Sequence, residues 1–385
     1  MHSKPCHKGL NRWSLKHVLT PLLLLAAACV SGPVSMPSDT AIPVAWVSVP
    51  VAARFGSITL ADDGSVTTAV GRQPARLVDG PIHIVATGAG STLMNGDKVL
   101  AGALGPIDSL DLSESRGEVA FSAGTAHGYD IGLVSSDGGD VHWMPSDPAD
   151  EVAVQWAPRG NKISYVIRAG GGDVVRTLHI PTSYQFAIPF AEGTVHAVAW
   201  DAKAERFAVA WSTPDASDRV DVVKYDGAER RTAIAPERQL PVDVEPVAPG
   251  AIVLRPRDVR YGEKLPVVVW VARDFAWSDE RAALLTNARV AVIVTKHAPD
   301  SSLWSAAEAV GWLDLSRAYV VGATVGAADD RPGTVVITGD PALAAGRSAR
   351  RGNVVTVPSA VVQSFAAGYI AAQLERDPTK NGSSR

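Results

Sequence analysis

The chain has 385 residues, 46% of them apolar and 20% charged, which suffices for two ordinary globular domains and excludes general disorder. Forty Asp and Glu against 36 Lys and Arg leave a formal charge of −4. No basic run occurs beyond the leader, so release of phosphate counterions has no patch to work on and nucleic acid is excluded as a partner.

Residues 1–28 read as a signal peptide: "MHSKPCHKGLNRWSLKH" is a basic n-region and "VLTPLLLLAAA" a short apolar h-region. Neither this stretch nor any later one is long and apolar enough to cross about 30 Å of hydrocarbon as a helix. The residues "LAAAC" resemble a bacterial lipobox, with Ala26 where leucine is usual, which makes Cys29 the expected lipid acceptor. The alternative is an ordinary cleavage site at Ala26 and Ala28 with Cys29 incidental. Cys6, the one other cysteine, lies in the leader, so the mature chain forms no internal disulfide. Residues 29–43 then serve as a linker after the anchor.

From residue 44 to 240 the pattern is short alternating strands and turns. Three segments align: "LDLSESRGEVAF" (110–121), "VQWAPRGNKISY" (154–165) and "VAWDAKAERFAV" (198–209), with Leu112, Trp156 and Trp200 in one register and Val119, Ile163 and Phe207 in another. A period of about 44 residues is the length of a four-stranded propeller blade. Asp-Gly hairpins recur in "YDIGLVSSDGGDVHWM" and "RVDVVKYDGAERRT", and "VVRTLHIPTS" takes the corresponding place between them with Pro181 in its turn. "DIGLVSSDGGDV…VAVQWAPRGNKISYVIR" resembles the repeat of TolB-type β-propellers. Trp156 and Trp200 are accordingly expected in the core between blades.

"LPVDVEPVAPG" opens a Pro-rich connector, residues 241–264, after which the pattern changes to strands alternating with helices. Val-rich strands are expected at 265–272, 289–296, 317–323, 333–340 and 352–358, because parallel strands covered on both faces need continuous apolar runs. Helices are expected in "SDERAALLTNA", "SLWSAAEAVGWL" and "SAVVQSFAAGYIAAQLER", with Ser278 and Ser301 or Ser302 as N-caps. This layer occupies residues 265–376, and 377–385 form a flexible tail.

A propeller followed by an α/β-hydrolase is the order of prolyl oligopeptidase-type serine peptidases. "AIVLRPRDVRYGEKLPVVVWVARDFAW" resembles that family's entry into the catalytic domain, "GWLDLSRAYVVGATVGA" the segment through the nucleophile elbow, and "GTVVITGD" the strand ending at the acid. The chemistry on this skeleton is eroded. Gly322, Ala323 and Gly326 give the small residues an elbow needs, but Thr324 stands where the resemblance implies serine, and its β-methyl crowds a strained position. By the same resemblance the acid falls on Ala342, the histidine turn reads "SAVVQSF", and Ala272, Arg273 and Asp274 replace a His-Gly-Gly oxyanion turn. The six histidines beyond the leader, His83, His127, His142, His179, His196 and His297, all precede Thr324. The stretch between Gly326 and Gly333 is also too short for the strand-helix unit expected there.

No histidine pair has metal-ligand spacing, "GATVGA" lacks the third glycine and acidic partner of a dinucleotide fingerprint, and Asp62, Asp63, Asp137 and Asp140 sit in Gly-rich turns. No metal or cofactor is expected, and His297 reads as a surface loop residue. The fold expected is a β-propeller of about four to six blades, closed or irregular, followed by a reduced α/β domain with a mostly parallel sheet. The function expected is non-catalytic: an exported scaffold, lipid-anchored through Cys29 to the cell membrane or outer membrane, binding an envelope protein or polymer. The alternative is an esterase or peptidase of the prolyl oligopeptidase type, with Thr324 as an atypical nucleophile and Lys296 or a propeller residue as base. A third reading takes the whole mature chain as one larger propeller, at odds with its Ala-rich helical segments.

Overall fold

Alternating strands cannot bury their apolar faces singly, and here they do so as a succession of antiparallel sheets. The computed structural model describes residues 55–70, 82–87, 90–169, 172–272, 275–322, 335–338, 353–356 and 362–375. Strands β1 (Phe55–Leu60) and β2 (Val66–Val70) form one sheet, and β3 (Ile82–Thr87), β4 (Gly90–Asn95) and β5 (Lys98–Leu104) a second. Three four-stranded sheets follow, each with its strands paired in chain order. They are β6 (Ile107–Ser113), β7 (Glu118–Thr125), β8 (Gly128–Ser135) and β9 (His142–Trp143); β10 (Asp150–Trp156), β11 (Lys162–Ala169), β12 (Gly172–His179) and β13 (Tyr184–Ala191); and β14 (Thr194–Trp200), β15 (Arg206–Thr213), β16 (Ala216–Lys224) and β17 (Arg231–Ile234).

The sequence repeat has a direct structural meaning. Leu112 pairs with Val119, Trp156 with Ile163 and Trp200 with Phe207, so each aligned pair closes the first hairpin of its sheet. Neighbouring sheets are stitched at the same period. A register shift between Val152 and Gln155, with Ala153 at φ 55°, takes backbone N–H groups of β10 out of its own ladder. Side chains of β6 accept them: Asp108 Oδ2 from Ala153 N–H at 3.2 Å, Ser109 Oγ from Val154 N–H at 3.0 Å, and Asp111 Oδ2 from Trp156 N–H at 2.8 Å.

Apolar contacts between the sheets do the rest. Ile131 and Leu133 pack with Trp156, Ile163 and Tyr165, while Val166, Val175 and Phe190 pack with Val195, Phe207 and Trp211. Trp156 is therefore buried between sheets as expected, and Trp200 is half-buried against the next core. The first sheet returns to the last: Ile58 and Leu60 share a cluster with Ala208, Ala210, Val220 and Val222, and Arg231 donates to the Gly64 carbonyl at 2.5 Å.

The remaining strands build a seven-stranded mixed sheet from β18 (Val242–Ala248), β19 (Ala251–Pro256), β20 (Leu265–Val271), β21 (Ala291–Thr295), β22 (Leu313–Gly322), β23 (Val335–Thr338) and β24 (Asn353–Thr356), ordered β18-β19-β21-β20-β22-β23-β24. Strands β20 to β24 run parallel to one another, and β18 and β19 pair antiparallel at one edge. Helices α1 (Asp279–Asn287), α2 (Ser301–Val310) and α3 (Val362–Glu375) cover it. Alternate residues serve the two faces: Val268, Trp270, Val292, Val294 and Val321 meet Leu284 and Leu285 of α1 and Ile370 of α3, whereas Val267, Val269, Ile293 and Val320 meet Leu303 and Trp304 of α2. Both faces are apolar, hence the unbroken Val runs.

Two expectations are corrected. The segment read as a connector, 241–264, carries β18 and β19, which extend the sheet. Pro246 sits on the edge strand β18, where a missing N–H costs no ladder bond on the open side. The N-cap of α2 is Asp300, whose Oδ1 accepts Leu303 N–H at 2.9 Å, rather than Ser301 or Ser302; Ser278 does cap α1. The mixed sheet and its helices also exclude one larger propeller.

Candidate functional site

In an open sheet of parallel strands a crevice forms where consecutive connections depart to opposite sides. After β20 the chain crosses through α1 to β21 on one side of it, then through α2 to β22 on the other. The switch point therefore lies outside the carboxyl ends of β20 and β22, at Val271–Ala272 and Gly322. Direct parallel pairing of β22 with β23, from Tyr319–Val335 to Gly322–Thr338, leaves only residues 323–334 for the connection, so no further strand lies between them.

The last two antiparallel sheets meet this end of the mixed sheet. Lys296, just past β21, donates from Nζ to the Ala169 carbonyl at 2.9 Å and lies 5.1 Å from the Phe275 ring centroid. Beside it Arg168 pairs with Asp173 and donates to the Val195 carbonyl at 3.0 Å, and Asp173 Oδ2 accepts Val195 N–H at 2.7 Å. Burial pushes the Asp173 carboxyl up, although the charges of Arg168 and Lys296 oppose it.

A second junction joins the loop before α1 to the β14–β16 sheet. Trp277 N–H donates to Ser212 Oγ at 3.1 Å, and Ser212 Oγ lies 2.8 Å from His196 Nε2. Asp218 Oδ1 stands 3.4 Å from that same nitrogen. The residue types are those of a triad, but a triad needs hydroxyl and carboxylate on opposite ring nitrogens. Ser212 is also fully buried within a strand, so this cluster fastens structure and offers no nucleophile.

Of the residues singled out from sequence, Cys29, Arg273, Asp274, Thr324 and Ala342 lie outside the described residues. Ala272 is placed at the switch point, where its N–H donates to the Thr295 carbonyl at 2.9 Å. Residues 362–365 of the expected histidine turn already belong to α3. Lys296, the candidate base, is engaged with the antiparallel sheets, and His297 is exposed. Among the described residues no three His, Cys, Asp or Glu side chains stand together in a metal-holding array.

Comparison with solved structures finds a similar fold. A structure from a study of two prolyl endopeptidases superposes with a TM-score of 0.50 at 10% identity, covering 82% of this chain and 59% of the other. In fold the chain is similar to a prolyl endopeptidase. Prolyl oligopeptidase B from Galerina marginata, with a 35-residue substrate bound, gives 0.48 at 9% identity over 84% and 64% of the two chains. The AtxE2 isopeptidase with Astexin3-dC4 bound gives 0.45 at 13% over 82% and 52%. These neighbours are prolyl oligopeptidase-family proteins with a propeller-like domain, and the chain spans about half to under two thirds of their length. No protein-family model matches the sequence, and a search of curated proteins finds no match.

The His196–Ser212–Asp218 cluster had no signal in the sequence. Its members come from three strands, spaced as turn lengths dictate, and the registers of β14 on β15 and of β15 on β16 bring them together.

Proposed function

We propose that the chain is an esterase or peptidase of the prolyl oligopeptidase type, taking a peptide or ester acyl group in the crevice outside the carboxyl ends of β20 and β22. The observation that carries this is the strand order, which sets Gly322, two residues before Thr324, at the topological switch point. The likeness to a prolyl endopeptidase favours this reading over a scaffold of the cell envelope, for which the fold supplies no support. On this reading the five antiparallel sheets are blades of an irregular propeller that caps the crevice, and Thr324 is the acyl acceptor.

A second reading is supported by one observation: Lys296, the candidate base, donates to the Ala169 carbonyl. The crevice would then hold an acyl ligand without cleaving it. Purified chain incubated with p-nitrophenyl esters and short proline-containing peptides separates the two. The hydrolase predicts turnover that Thr324→Ala reduces at least about a hundredfold. Saturable peptide binding without turnover supports the second reading, and neither binding nor turnover overturns both. Export and a lipid on Cys29 are proposed from the leader alone; Cys29→Ala should release the protein from membranes in fractionated cells.

A further inference from the structure

Strand β10 buries a carboxyl that no hydrogen bond holds. Glu151, its second residue, is fully removed from water. Its backbone carbonyl accepts Ser122 Oγ of β7 at 2.5 Å and it pairs across the ladder with Ile167, but neither carboxyl oxygen meets a hydrogen-bond donor among the described residues. Other buried acids of the antiparallel sheets are held. Asp130 accepts the Thr125 hydroxyl at 2.6 Å, Asp173 the Val195 N–H, Asp201 the Glu205 N–H at 2.9 Å and Asp221 the Arg230 guanidinium at 2.9 Å.

The charged groups around Glu151 are engaged with one another. Arg176 of β12 is paired with Asp147 of the loop before β10 and bonds the buried Tyr165 phenol of β11. Among the described residues Glu151 itself makes no ion pair. Asp108 and Asp111 of β6 accept N–H groups further along β10, Asp150 accepts Tyr129 N–H at 3.1 Å, and His142 of β9 is exposed. Burial pushes the Glu151 carboxyl up to about 7; the charge of Asp147 adds to the rise, while Arg176 and the N–H groups of Ile131 and Asp147 oppose it without reaching hydrogen-bond geometry. Tyr165, pushed up to about 12 by burial, stays protonated over the same range.

We infer that Glu151 is a pH-sensitive latch between the β6–β9 and β10–β13 sheets: while it carries its proton the sheets close over it, and loss of that proton opens this junction ahead of the rest of the fold. A neutral carboxyl gives up only its hydrogen bonds to be buried there, whereas a carboxylate gives up its hydration shell with no ion pair in return. Once the junction opens, water reaches the group and it ionises near 4.5, as an exposed glutamate does. The closed state thus holds the proton more tightly, so opening becomes more frequent as pH rises from 4.5 to about 7 and levels off above that. The start of β10 pairs with Ile167 and Arg168, next to the Ala169 carbonyl that takes Lys296, so the loosened end is the one turned toward the mixed sheet. The latch stands independently of the hydrolase reading.

Hydrogen exchange of the purified chain, read by mass spectrometry at about pH 5 and about pH 8 and divided by the intrinsic amide rate at each, tests this. Peptides covering β8 and the first half of β10 should open at least about tenfold more often at the higher pH, while those covering β20 and β22 keep their protection. Glu151→Gln, neutral at both, should remove the difference; histidines titrate over the same interval, and a response due to them would survive the substitution. Unchanged protection of β8 and β10 in the unsubstituted chain overturns the proposal, as does a pH response that persists in Glu151→Gln or one that spreads equally to β20 and β22.

Discussion

Glu151 sits within the β6–β9 and β10–β13 junction with its side chain fully removed from water. Burial pushes its carboxyl up to about 7, and the charge of Asp147 adds to this while Arg176 opposes it. The folded protein thus keeps a proton that the unfolded chain releases near 4.5. Stability from this group is fully present below the unfolded value, falls across the interval up to about 7, and is lost above it. Glu151→Gln should therefore raise stability by roughly 2–3 kcal/mol at pH 8 and leave it unchanged at pH 4, read by urea unfolding at both. Equal gains at the two values would locate the cost in packing. Ser212→Ala tests the opposite case. It removes the hydroxyl oxygen that accepts the buried Trp277 N–H, which should cost about 1–3 kcal/mol. Neither residue announced itself in the sequence. The position of Glu151 in an alternating strand does not mark it as buried, and it is the approach of a neighbouring sheet that buries it.

At the scale of elements, the hairpins that repeat in sequence also repeat in backbone. The turn after Trp156 places Gly160 at φ 66°, and the corresponding turn after Trp200 places Ala204 at φ 57°. Both are left-handed, a region that favours glycine. They differ in surroundings: a Cβ on Gly160 would stand 2.3 Å from Ser115 Oγ and 2.5 Å from Ser113 Oγ, whereas Ala204 already accommodates one. Gly160→Ala should cost about 1–3 kcal/mol and Ala204→Gly less than about 1 kcal/mol, a contrast thermal unfolding would measure. Phe207→Ala, at the paired position opposite Trp200 in the core, should cost about 3–5 kcal/mol. The repeat was legible because Trp156–Ile163 and Trp200–Phe207 each close a hairpin, so pairing keeps large apolar residues at fixed offsets. Strands β18 and β19 were not. Their prolines and Gly250 read as linker, and only their place at the edge of a sheet makes such residues compatible with a strand.

Polar contacts between the antiparallel sheets and the mixed sheet with its helices include, among the described residues, Lys296 on the Ala169 carbonyl and Trp277 N–H on Ser212. Removing both in Lys296→Ala/Ser212→Ala should separate the unfolding of the helices, followed by far-ultraviolet circular dichroism, from that of the antiparallel sheets, followed by tryptophan fluorescence. Coincident transitions in the double variant would mean that other contacts carry the coupling. The strand order and the two-sided Val runs were readable from spacing. What Thr324 does was not, because reactivity depends on which groups reach its hydroxyl, and spacing along the chain says little about that. The most direct measurement is intact-mass analysis of the native chain after exposure to an activated acyl ester, with the adduct located by peptide mapping. A single acyl group on Thr324, absent from the Thr324→Ala protein, is the result predicted. Acylation elsewhere alone, or none at all, would contradict it.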